Sequence, residues 1–475
     1  MLLALACGER RDAERGPDRF AAPPARPLDA VEEARVYEAL ESGSDALPAL
    51  LDDVVARGDH RFVGVLIEGL RASALRLVPE THHNARVVAL ERLSGEALGA
   101  DWFAWTSWYQ RTSLRAPPGF HGLKARLLAR LDPTLAGLFA TPATDGARIE
   151  EIVYGGAPPD RDDGGPDPAH VAAADAELAA GDPVVGVVVG GEARAYPLRW
   201  LDWHEIANDR LGGRDVAVVW CGFVGSAMAF ERLPASRLAP SGLVQRSVRL
   251  MVDRASGTLW NELTGRRASG GRGGARVAGD RLQPLPAVLT TWSAWRGRHP
   301  DTTALLGGRE SSGPALTPYA GYHTTDEAVF PVALERAELP AKARVYGVER
   351  GLHARAWELG ALLEAGVVNG EVGGAPVVLV ARRGAIELEG EHPRRGRLRF
   401  SPGAEVRGYL RERAVELAPG ERADELVDAG GGVWRVGDEA LVGPGGARGD
   451  RIPGTVAYWF AWQAFYPETE LVRAE

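Results

Sequence analysis

Cysteine is almost absent from this chain: two residues in 475, Cys7 and Cys221. So low a count excludes a disulfide scaffold and an all-cysteine zinc site. Lysine is equally scarce. Lys124 and Lys342 are the only two, so nearly all of the 55 basic residues are arginine. Alongside abundant alanine and glycine, this bias reads as GC-rich bacterial coding rather than a functional choice. Basic residues are also in the minority, 55 against 64 acidic, for a formal net charge of −9. That balance argues against a nucleic-acid surface. No run of about eighteen apolar residues exists, so no transmembrane helix is expected.

What is present is globular in character. A hydrophobic share of 45% with 25% charged residues fits neither a disordered nor a fibrous chain. A chain of this length usually forms about two to four domains with real cores.

The chain opens Met1-Leu2-Leu3-Ala4-Leu5-Ala6-Cys7 and then turns polar and proline-rich to about residue 27. Small residues before a cysteine, after a short apolar run, resemble the end of a bacterial lipoprotein signal. No basic segment precedes the run, and the run is shorter than usual. On this reading Cys7 carries lipid and tethers the protein in the cell envelope or periplasm. The alternative is a frayed terminus with an incidental cysteine.

The expected fold class is α+β. Residues 1–27 are leader and linker, and residues 28–147 an α-helical, solenoid-like domain. Val31, Ala34, Val36 and Leu40 make one apolar stripe, and Leu47, Leu50, Leu51, Val54 and Val55 another, at helical spacing. Gly-Asp and Ser-Gly breaks between such stripes suggest stacked helical pairs. Trp102, Trp105 and Trp108 share one helix face, the spacing of core packing. A short helix is expected around His170 to Ala180. Beyond about residue 184, β-branched runs such as Val184–Val189 and Val216–Trp220 alternate with glycine-rich turns, the texture of a β-rich module.

That module repeats itself. Gly186 to Tyr196, with Ala193-Arg194-Ala195-Tyr196, returns as Gly347 to Trp357, with Ala354-Arg355-Ala356-Trp357. Without a gap, Asn208 falls on Asn369, and Val216-Ala217-Val218 on Val377-Val378-Leu379. Trp292 and Trp295 match Trp459 and Trp462. This predicts two repeated halves, 148–335 and a degenerate 336–475. Trp203-His204-Glu205 becomes Glu364-Ala365-Gly366, and Cys221 becomes Arg382. A duplicated scaffold need keep its chemistry in one copy only, so these polar residues of the first half are the site candidates.

Several motifs also carry a family resemblance. They include Ile152-Val-Tyr-Gly155-Gly156, Arg194-Ala-Tyr-Pro197, Trp203-His204-Glu205 with Asn208-Asp209, and Trp220-Cys221. Ser241-Gly242-Leu, Ser256-Gly-Thr-Leu-Trp260-Asn, His299-Pro300-Asp301-Thr302 and Leu339-Pro-Ala-Lys342 belong with them. Over about residues 148–472 the chain resembles the bacterial family called domain of unknown function 3179. The resemblance implies no activity. The family pattern often runs Cys-x-x-Cys-Gly, but here Val224 stands at the second cysteine. A dithiol redox couple is therefore excluded, and Cys221 acts as a single thiol.

Val216–Cys221 reads as a buried strand ending in a glycine-rich turn. Leu201–Asp209 reads as a helix, with Glu205 and Asp209 on one face. As a metal site, His204 and Cys221, joined by His323, would suit one transition-metal ion such as zinc, copper or iron. As a thiol site, Cys221 would attack, His204 would act as base, and Glu205 or Asn208 would orient it. The bland counterparts are a buried small cysteine and a satisfied buried histidine. The expectation is a cell-envelope protein, either a metal-binding or thiol-dependent enzyme or redox protein, or a non-catalytic envelope-anchored binding or scaffolding lipoprotein. The expected membrane contact is lipid on Cys7, and no nucleic-acid partner is expected.

Overall fold

The computed structural model describes residues 20, 22–139, 148–156, 169–234, 236–269, 280–305, 317–383, 386–392, 395–411 and 415–473. Cys7 lies outside them. The chain divides into two compact units, Met1–Pro117 and Pro118–Glu475. Among the described residues no helix is long and apolar enough to cross a membrane.

The first unit is helical: Ala30–Ser42, Leu47–Ala56, Phe62–Ala74, His83–Ser94 and Trp102–Tyr109. Asp29 and Glu32 form a reciprocal capping box at the first helix, and Gly43 closes it in the left-handed conformation, satisfying orphan backbone groups at both ends. Phe62–Ala74 is buried along almost its whole length, as an apolar central helix must be. It packs on His83–Ser94 and Trp102–Tyr109. Trp105 is fully buried, and its Nε1 donates to the Gly99 carbonyl at 2.8 Å.

The second unit is mixed α+β. Strands Pro183–Val189 and Glu192–Pro197 pair antiparallel. Ala287–Thr291 adds antiparallel on one side and Thr303–Leu305 parallel on the other. His170–Ala172 extends the edge as a strand beside Thr303–Leu305, not as the expected helix; edge pairing overrides the local alanine content. A second sheet has the same order. Arg344–Arg350 and His353–Glu358 pair antiparallel, with Thr455–Tyr458 antiparallel and Glu470–Val472 parallel at the flanks.

Details recur between the two sheets. A Cβ added to Gly186 would stand 2.2 Å from the Trp295 ring, and one added to Gly347 2.2 Å from the Trp462 ring. Only glycine lets each indole lie flat on its strand. The Trp295 Nε1 donates to Thr302 at 2.9 Å and the Trp462 Nε1 to Thr469 at 3.0 Å. Asn208 uses both side-chain atoms on the backbone of Leu238, and Asn369 does the same to Leu417.

Strand Arg214–Cys221 is buried on both faces, which its β-branched composition suits. Val216, Val218 and Trp220 face a cluster with Leu198 and Leu201, while Ala217 and Val219 face Met228 and Trp260. This strand lies between Ser226–Glu231 and Ile206–Leu211, and its end positions the candidate site.

Candidate functional site

Helix Leu198–His204 follows Pro197 and stops at Glu205. The expected helix to Asp209 is therefore shorter. Ile206–Leu211 is a strand paired with Arg214–Cys221, and Glu205 and Asp209 do not share a helix face. Glu205 ends the helix with φ 64° and ψ −43°, a region that non-glycine residues rarely adopt. Two backbone bonds hold it there. Its N–H donates to the Leu201 carbonyl at 2.8 Å, and its carbonyl accepts from Trp220 N–H at 2.9 Å.

This turn opens onto a cleft of about 300 Å³ whose walls include Trp203, His204, Glu205, Phe223, Arg249 and Leu250. Trp203 is 57% exposed. His204 is exposed and stacks on Trp200, ring centroids 4.2 Å apart. Opposite runs strand Leu238–Gln245, whose pairing with Val248–Asp253 is interrupted between Pro240 and Leu243. Such irregularities bend a strand and recur beside functional sites.

Arg249, on strand Val248–Asp253, organises the polar part. Its Nη1 stands 2.6 Å from Glu205 Oε1, and its Nη2 donates to the Tyr319 hydroxyl. The guanidinium lies 4.2 Å from the Phe223 ring centroid and 5.0 Å from that of Tyr319, a cation–π cradle. Gly222 makes room for it, since a Cβ there would meet the Tyr319 ring at 2.6 Å. Burial opposes the Arg249 charge, but the Glu205 carboxylate more than compensates and keeps it protonated.

Beneath this pair lies Glu262, fully buried, its N–H bonded to the Arg249 carbonyl at 3.2 Å. Its carboxyl lies against the Cys221 thiol, but neither oxygen has a well-formed hydrogen bond. Burial first, and the nearby Glu205 charge second, push Glu262 up to about 8, so it is mostly a neutral acid at pH 7. Asp202 accepts from Trp220 Nε1 at 2.7 Å, and burial raises it to about 6.

The expected residues thus separate. His204 and Glu205 line the cleft. Cys221 is fully buried in an apolar cluster with Val224 and Phe460. Burial, and then Glu262, raise its thiol well above the ordinary value, whereas an attacking thiol must be ionised and reachable. Asn208 is committed to Leu238. The ring of His323 stacks on Phe400, its Nδ1 lies 2.8 Å from the Tyr458 hydroxyl, and burial lowers its pKa. Among the described residues no group of three or more His, Cys, Asp or Glu could hold a metal ion, so the set His204, Cys221 and His323 does not assemble as ligands. Sequence reasoning missed Arg249, Glu262, Asp202 and Tyr319. The available signal was an arginine inside the apolar run Val248–Val252.

No curated protein and no solved structure matches the chain. The family model described as "Protein of unknown function (DUF3179)" matches residues 165–469. That span takes in Asp202, Glu205, Cys221, Arg249, Glu262 and Tyr319, the whole polar cluster. It covers well over half of the sequence, and the chain accordingly belongs to the DUF3179 family of proteins of unknown function.

Proposed function

We propose that the cleft beside Glu205 is a small-molecule site and that Glu205 is its working carboxylate, oriented by Arg249. One observation carries the reading: a glutamate occupies a strained helix end that a glycine would fill without strain. Gly366, at the repeat-equivalent position, has φ 72° and ψ −44°. Strain of this kind clusters at functional sites. His204 lines the same cleft, while Cys221 and Glu262 are fully buried and are not part of its walls.

The experiment is a fragment library read by ligand-observed NMR against wild type and Glu205→Gly. Fragments that bind wild type and lose contact in a folded Glu205→Gly variant are expected. Hits that persist unchanged in the variant sink the reading.

The second unit is read as a duplicated module, on the matching sheet order and the paired roles of Trp295 with Trp462 and Asn208 with Asn369. The site belongs to the first copy, because Arg382 and Gly366 replace Cys221 and Glu205. The first unit is read as stacked helical pairs. Placement at the cell envelope rests on the Cys7 motif alone. Fatty-acid labelling of cells tests it: label on wild type and none on Cys7→Ser is expected, and unlabelled wild type refutes it.

A further inference from the structure

We infer that Lys342 is a nucleophilic amine, a modification site that takes up small aldehydes as an imine. It closes the Leu339-Pro-Ala-Lys342 motif and is not among the walls of the cleft, so the inference stands apart from the small-molecule reading. Of the two lysines, Lys124 is fully buried and Lys342 half-buried, so Lys342 is the one a solute can reach.

The Pro340 carbonyl accepts from Ala343 N–H at 2.9 Å, and from this turn Lys342 reaches the short helix Ala320–His323. Its Nζ donates to the Tyr322 carbonyl and stands 3.3 Å from the Thr325 hydroxyl. It also lies 3.3 Å from the Tyr322 ring centroid and 5.3 Å from that of Tyr458, and the Arg344 guanidinium lies over the same Tyr458 ring at 4.7 Å. His323, whose Nδ1 meets the Tyr458 hydroxyl, is kept neutral by burial and then by Arg344 and Lys342. Among the described residues no carboxylate is within ion-pair distance of Lys342. The acids that act on it, Asp326 and Glu327, are exposed and screened by water.

Desolvation and an adjacent cation are conditions that turn a lysine into a carbonyl-accepting amine. Burial first and Arg344 second lower Lys342 from an ordinary 10.5 to about 8. The Tyr322 ring opposes this, but a cation–π contact at a half-exposed site is worth up to about fivefold in the protonation equilibrium, against about three-hundredfold for the whole change. The step balances without a co-reactant. The neutral nitrogen attacks the carbonyl carbon, both of its protons pass to the carbonyl oxygen, and that oxygen leaves as water when the C=N bond forms.

Propionaldehyde with cyanoborohydride traps the imine as a propylamine. Label on the peptide carrying Lys342 is compared between the folded whole chain and the same chain in guanidinium chloride. At pH 7 a value near 8 leaves about a tenth of the amine neutral, and an ordinary lysine about one part in three thousand. The lower basicity takes back part of that gain, as it does for thiols. Folded labelling should therefore be about tenfold faster than unfolded at pH 7. At pH 9 the two rates should be about equal, because the unfolded amine becomes neutral in turn. Lys124, unlabelled until denaturant is added, reports that the chain is folded. Labelling of folded Lys342 no faster than unfolded at pH 7 overturns the inference, and so does an excess that persists unchanged at pH 9.

Discussion

Glu205 and Gly366 hold one backbone conformation, φ 64° and ψ −43° against φ 72° and ψ −44°. Their neighbours make the same bonds: Gly366 N–H donates to Leu362 at 2.9 Å, and its carbonyl accepts from Ala381 at 2.7 Å. The fold therefore requires this turn in both places, and glycine is the residue that makes it without strain.

A stability ranking follows. In ordinary helical positions alanine exceeds glycine by up to about 1 kcal/mol. At position 205 the order should invert, with Glu205→Gly more stable than Glu205→Ala by about 1 kcal/mol, because the turn penalises any Cβ. Both variants lose the pair with Arg249, so that loss cancels in the difference. Urea unfolding of the two proteins gives the ranking directly. Alanine above glycine would mean that the turn is unstrained.

The protonation of Glu262 should depend on Glu205. Burial raises Glu262 first and the Glu205 charge adds to it, to about 8 from an ordinary 4.5. The unfolded chain gives up this proton above the ordinary value, while the folded chain keeps it until about 8. The native state therefore loses stability as pH climbs through that window. Glu262→Gln should flatten this decline. Glu205→Gln removes the like charge and turns Arg249 toward Glu262, lowering its pKa. A protonated-carboxyl infrared band present in wild type at neutral pH should weaken in Glu205→Gln and vanish in Glu262→Gln. A band of equal strength in all three would assign it elsewhere and contradict the coupling.

Cys221 should be inert in the native protein. It is fully buried and its thiol is held protonated, which removes both requirements for reactivity. In a Cys7→Ser background, an aromatic disulfide reagent at neutral pH should titrate the thiol only after denaturant is added. Rapid labelling of the folded protein would reopen the thiol mechanism.

Periodicity made the mixed α+β scaffold legible where local pattern decides the outcome. Val216–Cys221 falls within a strand because its alternate residues fill two apolar clusters. Of the tryptophans expected on one core face, Trp105 alone is buried, since its helix turns Trp105, Thr106 and Tyr109 inward and leaves Trp102 and Trp108 partly exposed. The helix expected through Asp209 failed for the opposite reason: Glu205 stops it by a backbone conformation that the residue type does not advertise, and Asp209 is drawn into a strand by Val216. His204 and Glu205 were visible as polar residues that Ala365 and Gly366 replace in the segment matching theirs, and both reach the cleft. Arg249 and Glu262 were not visible, because their meaning arises from an arginine and a glutamate distant from Glu205 in sequence converging under a turn. Spacing along the chain carries no trace of that convergence.

Asp209 supplies the final prediction, and it concerns the Arg-Ala-Tyr-Pro motif rather than the cleft. Arg194 Nη1 donates to Asp209 Oδ2 at 2.7 Å and the Tyr196 hydroxyl donates to the same oxygen at 2.6 Å. His170 Nε2 lies 3.2 Å from Oδ1. Burial opposes ionisation, yet bonds from His170, Tyr196 and Arg194 hold the carboxyl at about 2, below an ordinary 3.8. Its stabilising contribution is therefore in place above the ordinary value and is lost as pH falls toward 2. Asp209→Asn keeps the shape but leaves Arg194, itself only 7% exposed, without its buried counter-charge. Glu192 also pairs with Arg194, but its side chain is 45% exposed and its charge is screened by water. The substitution should cost about 3 kcal/mol at neutral pH. It should also shrink the fall in stability between pH 4 and the folded pKa of about 2, because the group that titrates there is gone. Chemical denaturation at neutral and acid pH separates the two effects. An Asp209→Asn protein with wild-type acid sensitivity would show that some other carboxylate governs that limb.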